Sequence, residues 1–345
     1  MAPETPTPGL HTLREPRLTW PAPPAPQPAE LAAADRLIAA TQHTTPLVRS
    51  EPLSQREGRD VLLKLELLSP IRSFKHRGAL VAVDRIAREL PGTPIFTAST
   101  GNHGQGVTYA AARVGLPVTV HAPTTTAAVK LAAMRNLGAE VIVEGDDLDA
   151  AQKASERAAQ SFGGVYIEDG ENPDLMAGAA TVVSEMLAAA PGIDTLIVPI
   201  GGGNLIGGAL LAVAASARDI DVVGVQSQNA PSATASWLAG HVVELPCTTF
   251  AGGLATTRPG TVALDVMLAF LRRIAVVTEA DLDEAMATMF TAHGIQLEGA
   301  AAAPLAALTL YSDKIAGDTI GLVVTGNWAS AVEIERTVTI VNPGP

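Results

Sequence analysis

The stretch Ser73-Phe74-Lys75-His76-Arg77-Gly78 decides how this chain is read. It follows a strand-like run, Val61-Leu62-Leu63-Lys64-Leu65, and opens a helix-like run from Ala79 to Leu90. A lysine at the mouth of a helix sits where backbone N–H groups and the positive dipole end gather. That setting disfavours a positive charge and favours a nucleophilic amine. By itself the stretch also suits a solvated surface helix. Two later stretches give it meaning: Ser99-Thr100-Gly101-Asn102-His103-Gly104 and Gly201-Gly202-Gly203-Asn204-Leu205-Ile206-Gly207-Gly208.

Both stretches lie between a strand-like and a helix-like run. Strands are expected at 94–98, 117–121, 139–143, 195–200, 221–225 and 320–324, with helices at 104–114, 126–137, 147–162, 173–189 and 205–217 between them. Further helices are expected at 29–40, 262–271 and 279–293. Such alternation means βαβ units and parallel sheets. Residues 1–30 differ, because Pro21-Ala22-Pro23-Pro24-Ala25-Pro26-Gln27-Pro28 favours extended polyproline backbone. They are expected to form a disordered or loosely packed arm.

Composition narrows the function. The 345 residues are 47 % hydrophobic and 17 % charged, as in globular α/β enzymes. Aromatics make up only 3 %, so small aliphatic side chains must fill the core. The net charge of −12 argues against a nucleic-acid or anionic-membrane partner. Cys247 is the single cysteine, which rules out an intramolecular disulfide and suits a reducing cytoplasm. No apolar run reaches the roughly 18 residues of a membrane helix. Met1-Ala2-Pro3-Glu4-Thr5-Pro6 lacks the basic start and apolar core of a secretory signal.

The glycine turn at 201–204 can build an anion site without net charge. Glycines let an anion approach the backbone, and successive N–H groups at a helix start form a phosphate nest. Ile206 stands where a dinucleotide fingerprint needs its last glycine, and no Walker lysine is present. A plain strand–helix turn is the alternative. Taken in order, the three stretches resemble the fold type II pyridoxal-phosphate (PLP) enzymes, the tryptophan synthase β-like group. Within it they are most similar to threonine and serine dehydratases and serine racemases, over about Thr45 to Asn327.

That resemblance implies a two-lobed α/β fold, with parallel or mostly parallel sheets and helices on both faces. A small lobe at 78–185 would be inserted in a larger PLP-binding lobe made of 31–77 and 186–345. It implies that Lys75 binds the cofactor covalently, with Phe74 beside it and Arg77 structural. Gly201, Gly202, Gly203 and Asn204 would hold the phosphate, with Asn204 replacing a usual fourth glycine. Asn102 would face the cofactor's 3′-oxygen. The turn Ser99, Thr100, Gly101, Asn102 and His103 would hold the substrate carboxylate, and Thr325 would set its hydroxyl against the pyridine nitrogen. A neutral hydroxyl there leaves the ring a weaker electron sink and favours elimination or replacement over transamination.

Gly253, in Ala251-Gly252-Gly253-Leu254-Ala255, and Glu298 are further candidates, from segments similar to dehydratase motifs. The expected activity is PLP-dependent β-elimination of L-threonine or L-serine to a 2-oxo acid and ammonia. Thr325-Gly326-Asn327 is also similar to the threonine synthase branch, so a replacement enzyme is the first alternative and a racemase the second. Many relatives bind a divalent cation after the strand that ends here at Val225. Gln226 and Pro231-Ser232 lack the oxygen anions for it, so no metal is expected. The resemblance further implies a homodimer; the cysteine usage leads to the expectation of a cytoplasmic protein, and no feedback-regulatory domain is expected after residue 327.

Overall fold

Eleven strands carry the fold of the computed structural model, which describes residues 5–12 and 18–342. They are β1 (Gly9–Thr12), β2 (Leu47–Arg49), β3 (Asp60–Leu65), β4 (Ile95–Ala98), β5 (Val118–Ala122), β6 (Glu140–Val143), β7 (Val165–Tyr166), β8 (Thr195–Pro199), β9 (Asp221–Ser227), β10 (Arg273–Val277) and β11 (Thr319–Val324). Seven form one sheet in the order β1-β10-β9-β8-β11-β3-β2, and four form a second in the order β6-β5-β4-β7. Strands β10, β9, β8, β11 and β3 run parallel, while β1 and β2 are antiparallel edges. The second sheet is parallel throughout.

This is the α/β architecture that the alternation of runs predicts. Strand β8 is buried at every position and β11 at every position after Thr319. A central parallel strand is covered on both faces, so it reads as a continuous apolar run rather than an alternating one. Apolar side chains pack on both sides of the large sheet, and a third cluster lies under the smaller one.

Two helices link the sheets by touching. Helix Lys75–Glu89 and helix Pro173–Ala189 meet at Gly78 and Gly178. A side chain on Gly178 would collide with the Arg77 carbonyl and the Gly78 backbone, and one on Gly78 would lie 2.5 Å from Leu175 O. The absence of side chains at both positions lets the backbones cross closely, which fixes where Lys75 projects.

The N-terminal segment corrects an expectation. Its described part is not a loose arm. Gly9–Thr12 pairs with Val276–Arg273 as edge strand β1. Trp20 packs edge-on against Phe270 at 5.9 Å, and Trp20 Nε1 donates to Pro26 O at 3.1 Å. Ala25 is buried. Polyproline-like backbone has no internal hydrogen bonds to lose, so a tryptophan anchor and an open sheet edge suffice to dock it. The reading of Met1–Glu4 as lacking a secretory signal lies outside the described residues. Among those described, no helix is long and apolar enough to cross a membrane.

Candidate active site

Ligands of open parallel sheets bind beyond the carboxyl ends of the strands. Here Ser69–Lys75 follows β3, Ser99–His103 follows β4, Gly201–Asn204 follows β8 and Thr325 follows β11. The two sheets turn these ends toward one another. Lys75 is the first residue of its helix, and its amine opens into a cleft whose wall includes Phe74, His103, Asp169 and Asn204. The Nζ atom lies 5.3 Å from the centre of the Phe74 ring.

The amine is not left to the helix dipole alone. Lys75 Nζ donates to Asp169 Oδ2 at 2.6 Å. This carboxylate lies at ion-pair distance from the amine, a partner that the start of the helix does not itself supply. Asn204 Nδ2 donates to Asp169 Oδ1 at 3.1 Å, and His103 Nδ1 stands 4.0 Å from the same oxygen. Burial would raise the Asp169 carboxyl, but Lys75, His103 and the two hydrogen bonds hold it below the usual carboxylate range. Burial lowers His103, which is enclosed near Ile167 O, and favours its neutral form.

The glycine turn is a bare cradle. Gly203 has φ +107°, a left-handed conformation that glycine adopts at little cost, and a Cβ there would strike Ala263. A Cβ on Gly201 would lie 2.5 Å from the carbonyl of Gly253, so this further candidate seals the turn from behind. A Cβ on Gly202 would make ordinary contact with the Gly170 backbone at 3.6 Å and with the Asp169 carbonyl at 3.8 Å. Asn204 then starts helix Asn204–Ser216, whose first amides have no acceptor within the helix.

In the turn after β4, Ser99 is buried and accepts from the Gly101 amide at 2.9 Å, while Thr100 is exposed. Asn102 Nδ2 donates to both oxygens of Glu298, at 2.9 and 3.2 Å. Burial raises the Glu298 carboxyl, against the pull of Lys130. Thr325 is buried, and its carbonyl accepts from the Phe74 amide at 3.1 Å. Among the described residues, Asn102 Oδ1 and Asn204 Oδ1 are buried without a hydrogen-bond partner.

Behind Lys75, Arg77 is fully buried and holds Glu66 through two hydrogen bonds of 2.8 and 2.9 Å. It also binds Glu185, Thr181 and Thr45, and the buried Lys64 joins through Glu185. This network agrees with a structural role for Arg77. Gln226, where a cation ligand would stand in relatives, accepts from the Thr234 amide and hydroxyl at 2.7 and 2.8 Å.

The family profile described as "Pyridoxal-phosphate dependent enzyme" matches residues 38–326. The chain belongs to this family. It is 31 % identical over 316 residues to the L-threonine ammonia-lyase of Thermotoga maritima, covering 91 % of this chain and 78 % of that one. It is 29 % identical over 312 residues to an L-threo-3-hydroxyaspartate ammonia-lyase of Pseudomonas sp, covering 90 % and 97 %. The processed threonine deaminase isoform 2 of Solanum lycopersicum superimposes with a TM-score of 0.87 at 27 % identity, over 99 % of each chain.

This PLP-dependent enzyme has a donor set that fits its cofactor. A lysine amine opens on the cleft, a glycine cradle that side chains would fill lies beside it, and unpartnered Asn204 and Asn102 oxygens mark polar sites awaiting a ligand. Among the described residues no three or more His, Cys, Asp or Glu cluster as metal ligands would. Sequence reasoning missed Asp169, in the turn Glu168-Asp169-Gly170-Glu171, which reads as a solvated acidic loop. The signal available was its place at the carboxyl end of β7. Lys64 and Glu185 were missed too, because neither forms a motif.

Proposed function

We propose that the chain is an ammonia-lyase acting on a small β-hydroxy amino acid, L-threonine or L-serine. The observation that carries this is the convergence of Lys75, the Gly201–Asn204 cradle and the Ser99–His103 turn at the carboxyl ends of strands from both sheets. The similarity to L-threonine ammonia-lyase over most of the chain supports the same substrate class. Lys75 is the covalent anchor of the cofactor, and the backbone amides of Gly201, Gly202, Gly203 and Asn204 hold its phosphate. Bound PLP supplies an electron sink for charge that develops at the substrate's α-carbon.

The protein's own groups do the rest. The turn Ser99–His103 holds the substrate carboxylate, and Lys75 Nζ takes the α-proton. Thr325 offers a neutral hydroxyl to the ring nitrogen, which favours elimination over transamination. Water lost across the α–β bond is returned when the product hydrolyses, so threonine gives 2-oxobutanoate and ammonia. Phe74 and the walls of the cleft limit side-chain size. The small lobe comprises residues 78–185, and the enzyme works as a cytoplasmic homodimer.

The test is an amino-acid panel assayed for both 2-oxo acid and ammonia. Equimolar release from serine or threonine is expected. Racemisation without ammonia, or ammonia only when a second nucleophile is added, would assign the chain to a different reaction. Sedimentation of the purified protein checks the dimer.

A further inference from the structure

Asp169 is an acidic group on the cleft wall that the reaction above leaves without a task. Its neighbours Glu168 and Glu171 both face Arg258, at 3.7 and 3.3 Å. Asp169 turns the other way, to Lys75 Nζ at 2.6 Å and Asn204 Nδ2 at 3.1 Å. Its side chain keeps 32 % of its surface exposed, so it is open to a ligand. While Lys75 anchors the cofactor, and equally while its released amine is neutral and able to take the α-proton, the carboxylate lacks a paired ammonium. His103, buried and favouring its neutral form, replaces little of that charge from 4.0 Å. A half-desolvated carboxylate with a single remaining donor is costly, and it is satisfied by any ligand group that donates to it.

We propose that Asp169 selects the substrate's side chain, accepting a hydrogen bond from a hydroxyl or ammonium on the β-carbon and disfavouring an anionic side chain. This rests on Lys75 being the cofactor's anchor. Three features place the carboxylate where it can act. It lies on the cleft wall with Lys75, it is held by Asn204 at the end of the glycine cradle, and its partners are Lys75 and Asn204 while Arg258 pairs with Glu168 and Glu171. A β-hydroxyl satisfies the carboxylate, whereas a second carboxylate, as in 3-hydroxyaspartate, faces like charge across a short gap. Asp169 is thus a specificity-determining residue that accounts for a preference within one reaction type.

The experiment uses two amino acids of the same shape that carry no leaving group on the β-carbon, L-asparagine and L-aspartate. Their dissociation constants for the PLP-loaded protein are read from the absorbance change of the bound cofactor. Wild type should bind L-asparagine about tenfold or more tighter than L-aspartate. In Asp169→Asn and Asp169→Ser the ratio should fall to within about threefold. The kcat/KM ratio for threonine over 3-hydroxyaspartate should move the same way. Equal binding of the two ligands by wild type overturns the proposal without recourse to any variant. An unchanged ratio in a variant that binds PLP overturns it as well. A holoprotein that turns over neither serine nor threonine sinks the ammonia-lyase assignment instead, while the binding ratio still decides Asp169.

Discussion

The Lys75 amine lies beside Asp169 and, in the proposed reaction, also anchors the cofactor; single substitutions test these two roles separately. Lys75→Ala should lose borohydride fixation of PLP while melting as a folded protein, measured by mass spectrometry and calorimetry. Fixation that persists in Lys75→Ala would place the anchor elsewhere. In the proposed site Thr325→Ala removes one hydrogen bond to the ring, worth roughly 0.5–1.5 kcal/mol net, so PLP affinity should weaken about tenfold at most. The neighbouring His76 is buried between Ser73 O, which accepts from its one ring N–H, and the side-chain amide of Gln42, and burial pushes it down to about 4 despite Glu66. Its lowered folded-state value means that the unfolded chain binds a proton first. Stability from this group is therefore full above pH 6.5 or so and is lost as pH falls toward about 4. The loss across that window is on the order of 2–3 kcal/mol. Denaturant titrations between pH 4.5 and 7 should show a shallower pH slope in His76→Gln than in wild type.

At the scale of elements, the crossing of helices Lys75–Glu89 and Pro173–Ala189 sets the site's width. Gly178→Ala puts a methyl group against the Arg77 carbonyl, where only backbone movement can make room. We expect about 1–3 kcal/mol of destabilisation from such overpacking. PLP should also bind more weakly, because the shift is passed to Lys75. Retained stability and unchanged PLP affinity in Gly178→Ala would mean that the helices can separate without moving the lysine. Gly203→Ala acts at a different joint. It strains a left-handed residue and fills space beside Ala263, so its main effect should fall on phosphate affinity, read as PLP dissociation.

Across the whole molecule, the network of Arg77, Glu66, Glu185 and Lys64 joins the lysine helix to both β3 and helix Pro173–Ala189. Arg77→Leu leaves the fully buried Glu66 without its bidentate partner. The expected cost is about 3–5 kcal/mol, seen as a lower urea midpoint with the slope preserved. Adding Glu66→Gln should recover part of that loss, since the uncompensated charge is then gone. A single-variant cost below about 1 kcal/mol would show that water or Lys64 replaces Arg77. Strand β1 closes the β10 edge of the large sheet, so removing residues 1–27 should lower stability and expose that edge to association.

The α/β class, the helix-opening Lys75 and the two glycine-containing turns after β4 and β8 are legible in the residues alone. These features are local. A strand–turn–helix period shows in a short window, and an anion turn keeps its glycines contiguous, so no long-range contact is needed to see them. Tertiary structure alone decided which distant groups meet that lysine. Asp169 lies 94 residues beyond Lys75 and reads in sequence as a solvated acid, yet the meeting of the two sheets brings the turn after β7 to the start of the helix that follows β3. The same holds for Glu185 and Lys64 around Arg77, and for Gly9–Thr12, whose strand exists because β10 leaves an edge open. In each case a charge or backbone group is satisfied by a partner far along the chain, and no local pattern records where that partner will be.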